Sequence, residues 1–237
     1  MRFPKAYKGI NKIIIATAMS LITEIFALLI TFVLSDHLDY LENHTRILLA
    51  LAFALLVFAG LSVVELILSV IGISQAAKDE PSFSTALLFA IFGSLGIIVS
   101  VVMTSNDTIS NAGNIVSYVC QFISSFCVIS GTMVLAHQLG DKKYIQDANV
   151  SRFLLSAMYI LPIILSVFSR KSEAKNGPES TAVIAISVIS TILALLAYLA
   201  YLVILLKAKK MLAAAKLPDV EPAPAVEAAS SEEQTES

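Results

Sequence analysis

Charge is scarce in this chain. Asp, Glu, Lys and Arg make up 14% of its 237 residues, against roughly a quarter in soluble domains. There is no tryptophan, and there are three histidines and two cysteines. Cys120 and Cys127 lie in one apolar run, seven residues apart. On a helix that is about 10 Å, whereas a disulfide needs Cα atoms within about 7 Å. The two thiols are therefore expected to be small buried residues. No CxxC and no Cys/His cluster points to zinc. Ser-His-Asp, HExxH, Walker and GxGxxG patterns are all missing. With no catalytic set and no cofactor motif, a non-enzymatic protein without a cofactor is expected. The basic residues are scattered over short segments, so there is no nucleic-acid footprint.

What the chain has is apolar length. It is 57% hydrophobic with a mean hydropathy of +0.82, a composition that belongs in a bilayer. Six apolar segments stand out, at about 13–34, 47–74, 84–104, 112–136, 152–169 and 181–206. A helix needs about 20 residues to cross ~30 Å of hydrocarbon. The expected fold is all-α, a polytopic membrane helix bundle of six spans. The fifth segment is the shortest and carries Pro162. It crosses with a kink if neighbouring helices satisfy the freed backbone groups, and is re-entrant or interfacial otherwise. Arg2, Lys5 and Lys8 precede the first segment as in a signal peptide. The apolar stretch is too long for a 7–15-residue h-region, so a retained first span is expected.

The distribution of Lys and Arg orients the chain. With six spans and the N-terminus inside, twelve of the sixteen basic residues lie inside and four outside. Three of the four, Arg170, Lys171 and Lys175, fall in segment 170–180 and run against the rule. Removing span five gives eleven and five, so six spans with both termini cytoplasmic in a plasma membrane is the expectation. Residues 1–216 form the bundle. Residues 217–237, "LPDVEPAPAVEAASSEEQTES", hold six acidic residues, three prolines and no basic residue. Such a segment cannot bury enough apolar surface to order itself and reads as a disordered acidic cytoplasmic tail. It either solubilises the end of the chain or docks a protein partner, with Ser230, Ser231 and Thr235 as phosphorylation candidates. The inner ends "IGISQAAKDE", "MVLAHQLGDKK" and "VILLKAKKML" suggest three in-out-in hairpins, although basic endings are partly imposed by topology.

Segment 60–104 carries two apolar helices around Lys78-Asp79-Glu80-Pro81. Ile73, Ala77 and Lys78, followed by Ser82, Ala86, Leu87, Ala90, Ile91 and Gly93, fit a helical-hairpin pattern. In this pattern, and in "AYKGINKIIIA" and "YLVILLKAKKML", the chain resembles uncharacterised small polytopic membrane proteins of anaerobic Gram-positive bacteria. Glu65 departs from the glycine-rich hairpin of that group. The resemblance implies an architecture and a host type, and no site.

Polar and small residues recur on one face of each span. Span one has Thr17, Ser20, Glu24, Ala27 and Thr31, and span two has Ser62, Glu65, Ser69 and Gly72. Span three has Ala86, Ala90, Gly93, Gly96 and Ser100, while span four has Asn114, Ser117, Gln121, Ser124 and Gly131. Span six offers Ser187, Thr191, Ala194, Tyr198 and Tyr201. Membrane helices use such residues to approach closely, so these stripes are expected at helix–helix contacts, with the remaining faces toward lipid.

Glu24 and Glu65 need more explanation. A carboxylate near the centre of a span costs about 2.5–3.5 kcal/mol to insert. Counted from the inner membrane face, the two differ by about 3 Å in depth, on spans that should be antiparallel neighbours. If close, they cannot both ionise cheaply. One reading is a proton- or cation-linked site in a small transporter or channel. The other is a scaffold, sensor or partner-binding protein whose neutral glutamic acids bond Ser20, Ser62, Ser69 or Gln121. No Lys, Arg or His is expected in mid-membrane beside them. Segment 35–46 gathers Asp36, His37, Asp39, Glu42 and His44. These are plausible metal ligands, but read more simply as a solvated acidic loop.

Overall fold

In the computed structural model, residues 2–41, 45–103, 107–176 and 181–215 are described. They form six helices: α1 (Pro4–Leu41), α2 (Thr45–Ala76), α3 (Ser82–Val102), α4 (Asp107–Leu139), α5 (Lys142–Asn176) and α6 (Thr181–Ala214). No strand occurs among the described residues. The acidic segment 217–237 lies outside them. Four helices are long and apolar enough to cross a membrane, over Pro4–Phe26, Ala52–Ala76, Ser82–Ser100 and Ile115–Leu139. The protein is an all-helical membrane bundle.

The helices outrun the apolar segments. α1 continues to Leu41 through residues expected in a loop, and α5 begins at Lys142, ten residues before the apolar run. Polar sequence at a membrane boundary carries no signal to stop a helix unless a breaker intervenes. Gly140 is such a breaker. Its φ of 72° is a conformation glycine adopts at little cost. The Gly140 N–H donates to His137 O and the Asp141 N–H to Ala136 O, a Schellman end to α4. Asp141 then accepts from the Tyr144 N–H at 2.9 Å and caps α5. α5 runs unbroken across Pro162. A continuous helix of 35 residues is about 50 Å long, which is incompatible with a re-entrant turn inside it.

The hairpins α1–α2, α3–α4 and α5–α6 are the most extensive packing pairs. They join into a ring in the order α2, α1, α6, α5, α4, α3, closed by a lighter α3–α2 contact. The first two hairpins are not packed alike. In α1–α2, Gly9 meets Gly72 and Ala76 so closely that a Cβ on Gly9 would lie 2.8 Å from Ala76 N. In α3–α4 the close approach is at the other end, where a Cβ on Gly96 would lie 2.9 Å from Gly113 O. Ser124 Oγ of α4 donates to Ala86 O of α3 at 2.9 Å. The small-residue stripes of α3 and α4 therefore do serve contact.

The start of α1 and the end of α6 meet at one end of the ring. Asp79, in the α2–α3 turn, accepts from the Lys5 and Ala6 N–H groups, each at 2.8 Å, and caps α1. Arg2 donates to Gln138 O at 3.1 Å and Lys209 to Asn11 Oδ1 at 2.6 Å. Lys207 pairs with Asp147 at 2.8 Å, and this hydrogen bond holds the Asp147 carboxyl below the usual carboxylate range. The best-buried side chains lie toward this terminal end, among them Ile10, Ile13, Ile73, Phe83, Leu135, Leu205 and Leu212. The far half of α2 is bare: Leu49, Phe53 and Leu56 are exposed by 68–72%, as residues facing lipid should be. The bundle is thus packed shut at the terminal end.

One buried polar contact ties α4 to α5 there. Thr132 Oγ1 and Tyr144 Oη lie 2.7 Å apart, at 0% and 4% exposure, and burial pushes the Tyr144 phenol up despite the Thr132 bond. Thr132→Val strands the phenol and is expected to cost about 1–3 kcal/mol. Adding Tyr144→Phe should recover most of the loss, because no buried hydroxyl then lacks a partner. Thermal melts of the two variants in micelles check this, and a double variant weaker than the single one contradicts it.

Candidate intramembrane carboxylate site

Glu24 follows Ser20 by one turn on α1, and Ser20 projects toward α2, which carries Glu65. Ser20 Oγ donates to Glu65 Oε1 while also bonding Ala16 O of its own helix at 3.2 Å. Glu24 acts electrostatically on Glu65, so the two carboxylates share one region between the first two helices. Both are half-buried. Glu24 has no hydrogen-bond partner among the described residues, and no cation there acts on either carboxylate.

The other expected hydroxyl partners go elsewhere. Ser62 is exposed and donates to Phe58 O of its own helix at 3.0 Å. Ser69 and Gln121 form no hydrogen bond with either glutamate among the described residues. The reason for Ser62 is rotational: it lies on an exposed side of α2, where its hydroxyl finds the i−4 carbonyl, as membrane serines do.

Phenols from across the ring join the pair. Glu24 acts on Tyr118 of α4, Tyr159 of α5 and Tyr198 of α6, and Tyr198 also feels Glu65. Ser125 of α4 is a polar neighbour of Tyr159 and Tyr201. Residues of α1, α2, α4, α5 and α6 thus lie within electrostatic range of the pair, though no phenol forms a hydrogen bond with either glutamate among the described residues. Tyr118 is 58% exposed although Glu24, on a helix across the ring, acts on it. Phe26 and Phe58, with ring centroids 5.4 Å apart, pack α1 to α2.

Tyr198 and Tyr201 lie on the span-six stripe, but Tyr118 and Tyr159 were not singled out in the sequence. Their signal is position. Tyrosine favours the membrane–water interface, and Tyr118 and Tyr159 lie inside apolar runs. Arg152 is a second omission. Counted by sequence as a flanking residue, it sits ten residues into α5, with its guanidinium carbon 3.8 Å from the centre of the Phe126 ring. A cation does lie alongside the α4 span, though it does not act on the glutamates. The expected acidic loop 35–46 is helical instead, in α1 up to Leu41 and in α2 from Thr45, with 42–44 outside the described residues. No metal-ligand cluster of His, Cys, Asp and Glu occurs among the described residues. No family model matches the chain, and no curated protein or solved structure matches it.

Proposed function

We propose that this is a non-enzymatic membrane protein that uses Glu24 and Glu65 as a proton- or cation-binding pair, in the manner of a small ion-linked transporter or channel. One observation carries the reading: Glu65 is held by Ser20 with Glu24 acting on it, and no cation among the described residues balances the two. Two carboxylates in one poorly hydrated region cannot both stay ionised without a counter-charge. Intramembrane carboxylates of this kind mark ion and proton pathways by default. A shared proton or a bound cation supplies the missing charge. The test is proton and cation flux through liposomes, comparing the parent with Glu24→Gln and Glu65→Gln.

A scaffold, sensor or partner-binding role is the second reading. It is favoured by the glycine-tight hairpins, which need no ligand, and by the acidic tail as a docking segment for a protein partner. A host among anaerobic Gram-positive bacteria follows from the hairpin resemblance and belongs to the same proposal.

We place both termini in the cytoplasm of a plasma-membrane protein. The gathering of Arg2, Lys5, Lys142, Lys143, Lys207 and Lys209 at the terminal end supports that orientation. The prediction concerns segment 170–180. With Cys120 and Cys127 replaced, a Ser172→Cys protein should react with a membrane-impermeant thiol reagent added outside intact cells. Labelling only after the cells are opened would remove α5 as a span.

A further inference from the structure

Charge at the terminal end does not balance. Segments 2–12, 77–82, 139–147 and 207–215 meet there. Together they carry ten Lys and Arg against four Asp and Glu, a surplus of six positive charges. The four carboxylates are already engaged. Asp79 caps α1 and Asp141 caps α5. Glu80 is buried and accepts from the Ser82 N–H at 3.1 Å and the Ser82 hydroxyl at 2.7 Å. Asp147 pairs with Lys207, the one ion pair among the described residues. Arg2, Lys5 and Lys8 at the start of α1 are exposed, as are Lys142 and Lys143 at the start of α5.

The chain continues from this same face. α6 ends at Ala214, and the ring sets α1 on one side of it and α5 on the other. Those are the two helices that begin with exposed cations. The sequence that follows, 217–237, brings six carboxylates and no cation, equal in number to the surplus. Asp219 and Glu221 follow Ala215 by four and six residues. At ~3.4 Å per extended residue that is a reach of about 14 and 20 Å, against a helix diameter of about 10–12 Å. Both can therefore reach the starts of α1 and α5. Which side of the membrane the face lies on does not matter here, because α6 ends on it.

We propose that the acidic segment 217–237 docks on the basic terminal face of its own chain, across the starts of α1 and α5. The positive-inside rule accounts for the cations, but it assigns no place to acids. The six carboxylates beside them need a separate reason, and charge complementarity supplies it. One exposed ion pair contributes about 0–1 kcal/mol. Several together hold a segment whose tether gives it a millimolar effective concentration. Such a contact is sensitive to salt, since the screening length falls from about 14 Å at ~50 mM to about 4 Å at ~500 mM.

The test uses the full chain in a neutral detergent. A carbodiimide joins carboxylates to lysines in direct contact, and peptide mass spectrometry maps the links. Glu227, Glu232, Glu233 and Glu236 should join Lys5, Lys8, Lys142 and Lys143. The yield should fall roughly fivefold between ~50 and ~500 mM salt. Lys171 and Lys175, at the far end of α5, are the control and should stay unjoined. Glu232→Gln combined with Glu233→Gln touches no described contact, and should lower the links from Glu227 and Glu236 roughly threefold. Absent links, links as frequent to Lys171 and Lys175, or a yield indifferent to salt overturns the proposal. Mixing isotope-labelled with unlabelled protein identifies whose carboxylates are joined. Links within one copy support self-docking, and links mainly between copies overturn it in favour of a second chain. The same links should persist in bilayer discs of phosphatidylcholine and of phosphatidylglycerol. Their loss in phosphatidylglycerol alone gives the face to lipid headgroups and overturns docking in a membrane.

Discussion

Gly72→Val is expected to undo the packed end of the α1–α2 hairpin. A Cβ at residue 72 would lie 2.7 Å from Gly9 O, 2.8 Å from Ile13 Cγ1 and 3.1 Å from Ile13 N. Two of these are backbone atoms of α1, so relief requires the helices to move apart. Moving them apart draws Ile13 and Ile73 out of contact and pulls the α1 N-terminus away from Asp79, its cap. Overpacking costs typically 1–3 kcal/mol and sometimes more. With backbone on one side and a cap at stake, the upper end, about 3 kcal/mol, is expected. The chain has no tryptophan, so the melt is best followed by the reaction of buried Cys120 with a thiol-reactive dye. Gly60→Ala is the control. Nothing lies within 4 Å of a Cβ there, and an exposed helical Gly→Ala change gains up to ~1 kcal/mol. If both variants react alike, glycine contact is not what holds the hairpin.

The second large effect belongs to the carboxylates. Glutamine at 65 keeps a carbonyl oxygen that can accept from Ser20, so Glu65→Gln should fold. It can neither release a proton nor carry a charge. If one proton or cation is shared, either single substitution removes the shared site, and the double variant should be no worse than the poorer single one. Groups that act as a unit show this non-additivity. Flux is expected to fall roughly tenfold to a hundredfold, as for losing about 1.5–3 kcal/mol of charged hydrogen bonding. Flux that survives both substitutions, or separate small losses that add, would refute the shared site and leave Glu24 and Glu65 as structural residues. Ser62→Ala should leave flux unchanged, because its hydroxyl serves its own helix.

Much of this architecture is written in one dimension. Hydropathy marks the apolar runs because the bilayer demands about 20 apolar residues per crossing, and Gly140 is legible as a helix end. Glu24 and Glu65 announce themselves by being costly, and Ser20 by standing one turn from Glu24. Loop boundaries were less legible. Past the membrane edge nothing stops α1 at residue 35 or delays α5 to residue 152.

Helix rotation and ring order were decided only in three dimensions. In a soluble protein the apolar stripe reveals the inner face. In a bilayer both lipid and neighbouring helices accept Leu, Ile and Val, so the pattern does not say which face meets which helix. For that reason Ser62 could not be separated from Ser20, nor could Tyr118 and Tyr159 be assigned to Glu24. Arg152 is the clearest case. In sequence it is one more flanking cation, and its meeting with Phe126 depends on the turn at Gly140 folding α5 back along α4. Sequence alone is enough to read a membrane bundle with two intramembrane carboxylates. Tertiary packing set which polar groups meet them and placed Arg152 on Phe126 and Met133 with no ion pair among the described residues, because those meetings depend on the packing of separate helices and not on any local preference.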